Sequence, residues 1–508
     1  MKLLVVFILT AHALLSVGSA WRESLTYDEV YNIEEGKTIL TSRDYKDPYI
    51  PPLSKILTGV PYVLGLDSLV PSSLPSRQAL PSRAVTIFMS VILVYSIYRV
   101  ALTWFGEKAA GIALILAAFE PNLLGHNHYL TSDVPFALFF FASYILYVAL
   151  LRHPSLRGGV ITGGVLGLAM ATKIPALGYF LTSTGVLLIY KKLVSFHWQR
   201  MIVLVGISLI IVWATYGFRW DVIIAQREDS LRVSQQLLRF AQERHLPFIS
   251  DIVIFLRTKP VPLGGYMAIV KNSLIRGVSR DRHIWYSMPA TILLKTPIPL
   301  LTLFFIGLLK RRRLVRLEIP MIVLFVLMSV TNLMPLIRYA LPIYPFVILI
   351  ASTGALFIKT RFQKILLIVL LGWYVLGTII QFPHFISYGN EFAGPRERRY
   401  ERFTDSNIDW GQSLIDLASY VNNEHPTLLR LSYFGRDDAA LYGLPSTVPW
   451  GGYTFNDICA FHPVIFADLG PQITAISISN WYGCGYNTLE RFRASRIKDV
   501  VGDSILIF

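Results

Sequence analysis

Charged residues are scarce in this sequence. Only 16% of its 508 residues are Asp, Glu, Lys or Arg, while 54% are hydrophobic and the mean hydropathy is +0.51. A soluble domain needs a more polar surface, so the composition excludes a single soluble core. It predicts a polytopic α-helical membrane protein.

The sequence also lacks internal repeats, low-complexity tracts and any Asn-x-Ser/Thr sequon. The missing repeats argue against a transporter built from two related halves. The missing sequon favours a bacterial inner membrane over the endoplasmic reticulum. Cysteines are few: Cys459 and Cys484 have a spacing typical of no metal motif, and an oxidising compartment would permit a disulfide between them.

Apolar runs able to cross about 30 Å of hydrocarbon are frequent, although several are short. We predict eleven spans, at residues 3–20, 83–101, 108–120, 134–151, 158–172, 175–190, 201–217, 288–309, 318–334, 339–357 and 365–381. The loops that are internal when the N-terminus is cytoplasmic hold sixteen Lys and Arg and two acids. This positive-inside bias explains the net charge of +15 without a nucleic-acid partner.

The spans divide the chain into two domains. Residues 1–381 form the transmembrane domain, with outer loops at 21–82 and 218–287, and residues 382–508 form a small extracytoplasmic α/β domain. The first apolar run also has the pattern of a cleavable signal peptide. In either case the chain from residue 21 emerges outside.

Two adjacent acids, Asp28 and Glu29, follow the first apolar run in "LTYDEVYNIEEGK". Thr26 and Glu29 have the spacing of a capping box, for a helix that Gly36 would end. This interpretation leaves Asp28 with only a favourable helix-dipole interaction of about 0.3–1 kcal/mol. A carboxylate at the outer membrane rim would also serve as a general base, so both alternatives stay open.

A second acid, Asp133, occurs in "GHNHYLTSDVPFALFFF". Ser132 would cap a helix with Asp133 in its first turn. In the alternative interpretation, His126, His128 and Asp133 hold a divalent metal.

Three cations, Lys173, Lys295 and Arg338, fall at the same outer level as these acids. Each alone would snorkel to the interface. Together they would also suit an anionic group lodged between the outer helix ends.

The motifs "TYDEVYNIEEG", "DPYIPPLSKIL", "LTSDVPFALFFFASYILY", "ATKIPAL", "LLKTPIPLL" and "RYALPIYPFVILIAS" occur in this order. The chain thereby resembles the family 39 glycosyltransferases of the C-type superfold, which are similar to protein O-mannosyltransferases and bacterial aminoarabinose transferases. The tail stretch "DSNIDWGQSL" resembles one that recurs in bacterial members. Many relatives have His before the Pro-Pro pair, where this chain has Ile50.

The resemblance implies transfer of a hexosyl or pentosyl sugar from a polyprenyl- or dolichyl-phosphate donor to an acceptor hydroxyl, outside the cytoplasm and with inversion. The acceptor would be a protein, a lipid or a glycan. Asp28 matches the catalytic acid and Glu29 its companion at the acceptor, while Asp133 matches the second acidic site. We expect Lys173, Lys295 and Arg338 to bind the donor phosphate without a required cofactor.

Three other interpretations remain from the sequence. A scaffold that binds lipid-linked sugar without chemistry would keep the same residues, and a transporter would also place charges near the membrane. In the tail, Asp405, Asn407 and Asp409 alternate as in a calcium loop, but Gly411 falls one place late for an EF-hand. A helix cap or a domain contact is the alternative for that motif.

Overall fold

The computed structural model describes residues 2–45, 47, 49–191, 198–224, 228–278, 284–310, 314–331, 334–446, 458–467 and 470–508. The helices of the first part are α1 Lys2–Arg22, α2 Tyr27–Ser42, α3 Leu53–Val63, α4 Pro75–Gln78, α5 Leu80–Phe105, α6 Glu107–Ala118, α7 Pro121–His126, α8 Asp133–Arg152, α9 Leu156–Thr172, α10 Pro175–Lys191 and α11 Trp198–Thr215.

The remaining described helices are α12 Glu228–Glu243, α13 Pro247–Thr258, α14 Gly264–Val278, α15 Ser287–Lys295, α16 Ile298–Lys310, α17 Val315–Val330, α18 Ile337–Ala340, α19 Tyr344–Gly354, α20 Arg361–Ile380, α21 Leu414–Glu424 and α22 Ile478–Gly483. The strands are β1 Trp220–Asp221, β2 Val261–Pro262, β3 Leu428–Ser432, β4 His462–Ile465, β5 Gln472–Ser477, β6 Asp499–Val501 and β7 Ile505–Ile507.

Each of the predicted apolar windows coincides with a helix or a pair of helices. Five described helical segments are long and apolar enough to cross a membrane, at Lys2–Arg22, Leu80–Phe105, Asp133–Arg152, Ile337–Phe357 and Arg361–Ile380. The pair α15 and α16, bent by 109°, makes a sixth if it counts as one span. The other apolar helices are shorter, so the predicted count of eleven spans is not confirmed.

The membrane-type helices share one apolar core. Leu93, Ile97, Phe140, Leu303 and Leu349 are among its fully buried side chains, contributed by α5, α8, α16 and α19. By contrast, α20 leaves most of its apolar side chains exposed, which is expected of a helix that faces lipid.

The predicted first outer loop, residues 21–82, contains α2, α3 and α4, and α2 packs closely against α3. The α2 helix starts after Thr26, as the capping box predicts, and the Glu29 carboxylate accepts from the Thr26 backbone nitrogen at 2.9 Å. The expectation that Gly36 ends this helix is wrong, because α2 continues to Ser42. A Cβ on Gly36 would lie 2.4 Å from the carbonyl oxygen of Lys55, so this glycine permits the close approach of α2 and α3.

The tail contains a five-stranded sheet in the order β4-β3-β5-β7-β6. The β3–β5 pair is parallel and the other pairs are antiparallel. Leu414 and Leu417 of α21 are buried in a cluster with Leu429, Leu431 and Ile505 of the sheet. The tail therefore has its own core.

Cys459 and Cys484 form a disulfide with 5.7 Å between their Cα atoms, across 25 positions of the sequence. This bond joins the segment before β4 to the end of α22. It is consistent with the expected oxidising side of a membrane.

Candidate functional site

Asp28 and Arg338 form an ion pair where the first outer loop meets the start of α18. Arg338 Nη1 donates to Asp28 Oδ2 over 2.9 Å. The Asp28 side chain is 35% exposed and that of Arg338 is 15% exposed. Asp28 therefore has a fixed partner and a carboxylate that solvent or a substrate can reach.

Two aromatic rings hold the Arg338 guanidinium. Its central carbon lies 4.4 Å from the ring centroid of Trp410, in the tail, and 5.2 Å from that of Tyr339. Arginine stacks on aromatic faces in this way, and such contacts contribute about 0.5–2 kcal/mol. The arrangement limits where the guanidinium can move.

A second acid–base pair lies beside the first. Lys173, directly after α9, donates to the carboxylate of Asp133 at the start of α8. The Lys173 ammonium is also 4.9 Å from the centroid of the Tyr339 ring, which Arg338 contacts as well. The structure therefore brings Asp28, Asp133, Lys173 and Arg338 into one site.

Glu29 directly follows Asp28 in the sequence, but its side chain lies in a different environment. Arg83 Nε and Nη2 donate to its two carboxylate oxygens over 2.9 and 2.7 Å, and both side chains are fully buried. The backbone nitrogen of Leu130, in the loop between α7 and α8, donates to the same carboxylate over 3.2 Å. These contacts join two loops and leave no exposed Glu29 oxygen for an acceptor.

Lys295 is also separated from the open part of the site. Its fully buried ammonium donates to the backbone carbonyl oxygens of Ile386, over 2.6 Å, and Asn407. An incoming phosphate would have to displace both carbonyls. These contacts support a role in attaching the tail to the end of α15.

His126, at the end of α7, and His128, two positions later, do not gather around a common centre with Asp133. His128 Nε2 contacts Glu23 over 2.7 Å. His126 is buried beside Trp410, and burial lowers its pKa to about 3, which keeps the ring neutral. Within the described ranges, no three His, Cys, Asp or Glu side chains are arranged to hold a metal ion.

Glu23 links three parts of the protein. Its Oε2 accepts from the Tyr129 hydroxyl over 2.7 Å and contacts His128, and its Oε1 lies 3.5 Å from Nδ1 of His384 in the tail. Burial alone would raise the pKa of Glu23, but His128 and His384 beside it lower the pKa to about 2. The charged form of Glu23 thus stabilises the contact between the outer loops and the tail.

The loop that contains Ile50 is held by a further buried charge cluster. The Lys55 ammonium pairs with Asp47 and lies 3.8 Å from Glu35. Asp47 Oδ1 accepts from the backbone nitrogens of Tyr49 and Ile50 over 2.7 and 3.1 Å. Ile50, which stands where many relatives have His, has an exposed side chain and provides no imidazole.

The tail motif makes domain contacts. Asp409 is buried and accepts from the backbone nitrogens of Gly411 and Ser479 over 3.2 and 2.8 Å. Both Asp409 oxygens thus have backbone partners, which supports the domain-contact alternative over calcium. Burial raises the pKa of Asp409 to about 7, although these hydrogen bonds oppose the shift.

Sequence reasoning missed three residues of this region: Arg83, Tyr339 and Trp410. Arg83 lies at the outer start of an apolar run, where a charged residue is costly without a partner. Trp410 stands inside the quoted tail motif, but the calcium and helix-cap interpretations of that motif concern its polar residues and give no signal for the ring. Tyr339 follows Arg338 directly and gave no separate signal.

Comparisons with known proteins agree with the motif resemblance. Residues 72–216 match a family described as dolichyl-phosphate-mannose-protein mannosyltransferase. This match confirms the resemblance to these glycosyltransferases. It contains Asp133 and Lys173, whereas Asp28 and Arg338 lie outside it. A search of curated protein sequences finds no match.

The fold resembles that of a solved structure. ArnT from Cupriavidus metallidurans bound to undecaprenyl phosphate matches 75% of this chain and 70% of its own, with 16% identity and a TM-score of 0.51. In the apo state it matches 74% of this chain and 63% of its own, with 16% identity and a TM-score of 0.48.

The archaeal oligosaccharyltransferase AglB from Archaeoglobus fulgidus, in complex with an inhibitory peptide and a dolichol-phosphate, matches 79% of this chain and 58% of its own. The identity is 13% and the TM-score 0.48. The chain thus spans less than two thirds of the length of the apo ArnT and AglB chains.

Proposed function

We propose that this protein is an inverting glycosyltransferase that moves a hexosyl or pentosyl sugar from a polyprenyl- or dolichyl-phosphate donor to an acceptor hydroxyl. The observation that carries the proposal is the partly exposed Asp28 carboxylate, held by Arg338 next to a second acid–base pair. The site lies at the ends of apolar helices, where a lipid-linked donor can enter from the bilayer.

Asp28 acts as the general base. It takes the proton of the acceptor hydroxyl while that oxygen attacks the anomeric carbon, and the bond from this carbon to the phosphate oxygen breaks. A single displacement of this kind inverts the configuration. A positioned base of this kind typically contributes about 10²- to 10⁴-fold to the rate.

Arg338 and Lys173 stabilise the departing lipid phosphate. Both cations lie beside Tyr339, and both are partly exposed. Fixed cations in a partly dry site offset the developing negative charge without reorganisation, so the reaction requires no metal cofactor. Asp133 then serves mainly to hold Lys173 in place.

The protein is an integral membrane protein with its N-terminus in the cytoplasm and the tail outside, in a bacterial inner membrane. The positive-inside bias and the disulfide Cys459–Cys484 support this orientation. The acceptor is a protein, lipid or glycan hydroxyl presented on the outer face. The membrane-type helices provide the groove for the lipid tail.

Turnover in a reconstituted system tests this function. Purified protein in liposomes receives a labelled undecaprenyl-phosphate sugar and candidate acceptors. We expect release of undecaprenyl phosphate together with label on the acceptor, with the opposite anomeric configuration. Donor binding without release would support a scaffold, and movement of intact donor across the bilayer would support a transporter.

A further inference from the structure

The segment of residues 405–413, here called the clamp segment, follows the last apolar helix by more than twenty residues and yet forms part of the site. Its chain contacts the first outer loop at successive positions. The Trp410 carbonyl oxygen accepts from the Tyr27 backbone nitrogen over 2.8 Å. The Gln412 carbonyl oxygen accepts from the Ser24 nitrogen over 2.9 Å. These bonds fix the backbone on both sides of Thr26, which lies two positions before Asp28.

The same segment also contacts the chain around Arg338. Asn407 Oδ1 accepts from the Ile337 backbone nitrogen over 2.8 Å, and Asn407 Nδ2 donates to the Pro335 carbonyl oxygen over 2.9 Å. Lys295 donates to the Asn407 carbonyl oxygen. The clamp segment therefore joins the two chain segments that carry the members of the Asp28–Arg338 pair.

Trp410 adds a contact with the guanidinium of Arg338. Its side chain is almost fully buried and its ring lies 4.4 Å from the Arg338 guanidinium carbon. The edges of the ring pack against Tyr129, with 5.6 Å between centroids, and His126, with 6.0 Å. A ring fixed in this way gives the long Arg338 side chain one preferred position.

We infer that the clamp segment positions the catalytic pair, and that Trp410 is a positioning residue that acts through the guanidinium of Arg338. This inference rests on the proposed function. It gives the tail a direct role in the transfer step. Asp28 and Arg338 are 310 positions apart, so their geometry depends on a third segment that contacts both.

Two substitutions separate positioning from core packing. Trp410→Phe keeps an aromatic face over Arg338, whereas Trp410→Leu removes it, and both shorten the buried side chain. We expect Trp410→Leu to lower kcat about tenfold to a hundredfold, and Trp410→Phe to retain most of it. The KM for the donor and the thermal midpoint should differ little between the two. Equal kcat values at equal folded yield would overturn the inference.

A double-mutant cycle adds a readout that packing alone would not change. In an Arg338→Gln background, Trp410→Leu should cost little additional activity, because the group through which Trp410 acts is already gone. Additive losses would show that Trp410 acts independently of Arg338 and would contradict the inference.

If both Trp410 variants fail to fold, Asn407→Asp tests instead whether the clamp segment positions the catalytic pair. This change keeps the oxygen that accepts from Ile337 and removes the donor to Pro335, so kcat should fall while the donor KM changes little. Wild-type kcat in this variant would overturn the inference.

A failure of the proposed function is distinguishable from a failure of this inference. If the wild type turns over no donor, binding of undecaprenyl phosphate is measured instead. Trp410→Leu should weaken that binding and Trp410→Phe should preserve it, because the free lipid phosphate carries the additional negative charge that develops only as the donor bond breaks, and the position of Arg338 sets the contact with that charge. Equal affinities in the two variants would then reject the inference.

Discussion

Asp28 and Glu29 are neighbours in the chain, but their carboxylates have opposite surroundings. That of Glu29 is fully buried and held by two bonds from Arg83, while that of Asp28 is 35% exposed and held by one bond from Arg338. The capping interpretation therefore applies to Glu29, whereas the proposed catalytic role falls to Asp28. Glu29 begins the helix and joins two loops, and Asp28 faces the site.

Removing the Glu29 charge should reduce stability. In Glu29→Gln the Arg83 guanidinium stays buried without its anionic partner, and breaking a buried pair in this way costs about 3–5 kcal/mol. We expect a large fall in the thermal midpoint of the detergent-solubilised protein. Glu34→Gln, on the exposed side of the same helix, is the control and should unfold like wild type. Unchanged stability of Glu29→Gln with lost activity would instead place Glu29 at the acceptor.

Arg338 should contribute to lipid-phosphate binding. Hydrogen bonds to charged groups contribute about 1.5–3 kcal/mol, so Arg338→Gln should weaken binding of undecaprenyl phosphate about tenfold or more. Arg361→Gln removes an exposed guanidinium at the start of α20 and is the matched control. The affinity can be measured by titration in detergent micelles. An Arg338→Gln affinity equal to that of the control would assign the phosphate to other groups.

Stability should depend on pH through Asp409. Burial raises the pKa of this carboxyl from 3.8 to about 7, so the folded state holds its proton more tightly than the unfolded chain does. The free energy of unfolding should therefore fall as the pH rises from about 4 to about 7. In Asp409→Asn, which stays neutral, this part of the decline should disappear.

Other groups titrate in the same pH range. The contribution of Asp409 is therefore the difference between the pH profiles of the unfolding free energy of wild type and of Asp409→Asn. The exposed Asp499→Asn variant, in the same domain, serves as the control and should keep the wild-type slope. Parallel profiles for wild type and Asp409→Asn would contradict the buried, protonated state of Asp409.

Reduction of the disulfide should destabilise the tail. Cys459 and Cys484 close a loop with a sequence separation of 25, for which the chain-entropy model gives about 3.5 kcal/mol. We expect a reductant to lower the thermal midpoint of the wild type and to leave a Cys459→Ser/Cys484→Ser double variant unchanged. A wild-type midpoint insensitive to reductant, with the bond shown to be reduced, would contradict this.

The sequence predicted the helices better than it predicted the site. Each apolar run predicted from hydropathy coincides with a described helix or helix pair, because burial and lipid exposure both require long apolar runs. Side-chain partners were not predictable in the same way. The Arg83–Glu29 pair joins positions 54 apart, and the Asp28–Arg338 pair joins positions 310 apart.

Lys295 shows why a positive charge at the predicted outer membrane rim was not enough to identify a phosphate-binding residue. It has the same outer position as Lys173 and Arg338 in the sequence, but its ammonium is directed to the backbone carbonyls of Ile386 and Asn407. Those carbonyls belong to the tail, more than ninety positions away. Only the fold determines whether a cation at the membrane rim faces a substrate or another part of the chain.

The most direct test of the account compares wild type, Asp28→Asn and Glu34→Gln in the reconstituted donor-turnover assay, at equal folded yield. If Asp28 is the base, Asp28→Asn loses about a hundredfold or more in kcat, while Glu34→Gln, with the same charge change on the same helix, keeps wild-type activity. Equal activity of Asp28→Asn and wild type would contradict the central claim, since the carboxylate would then serve only the start of the helix.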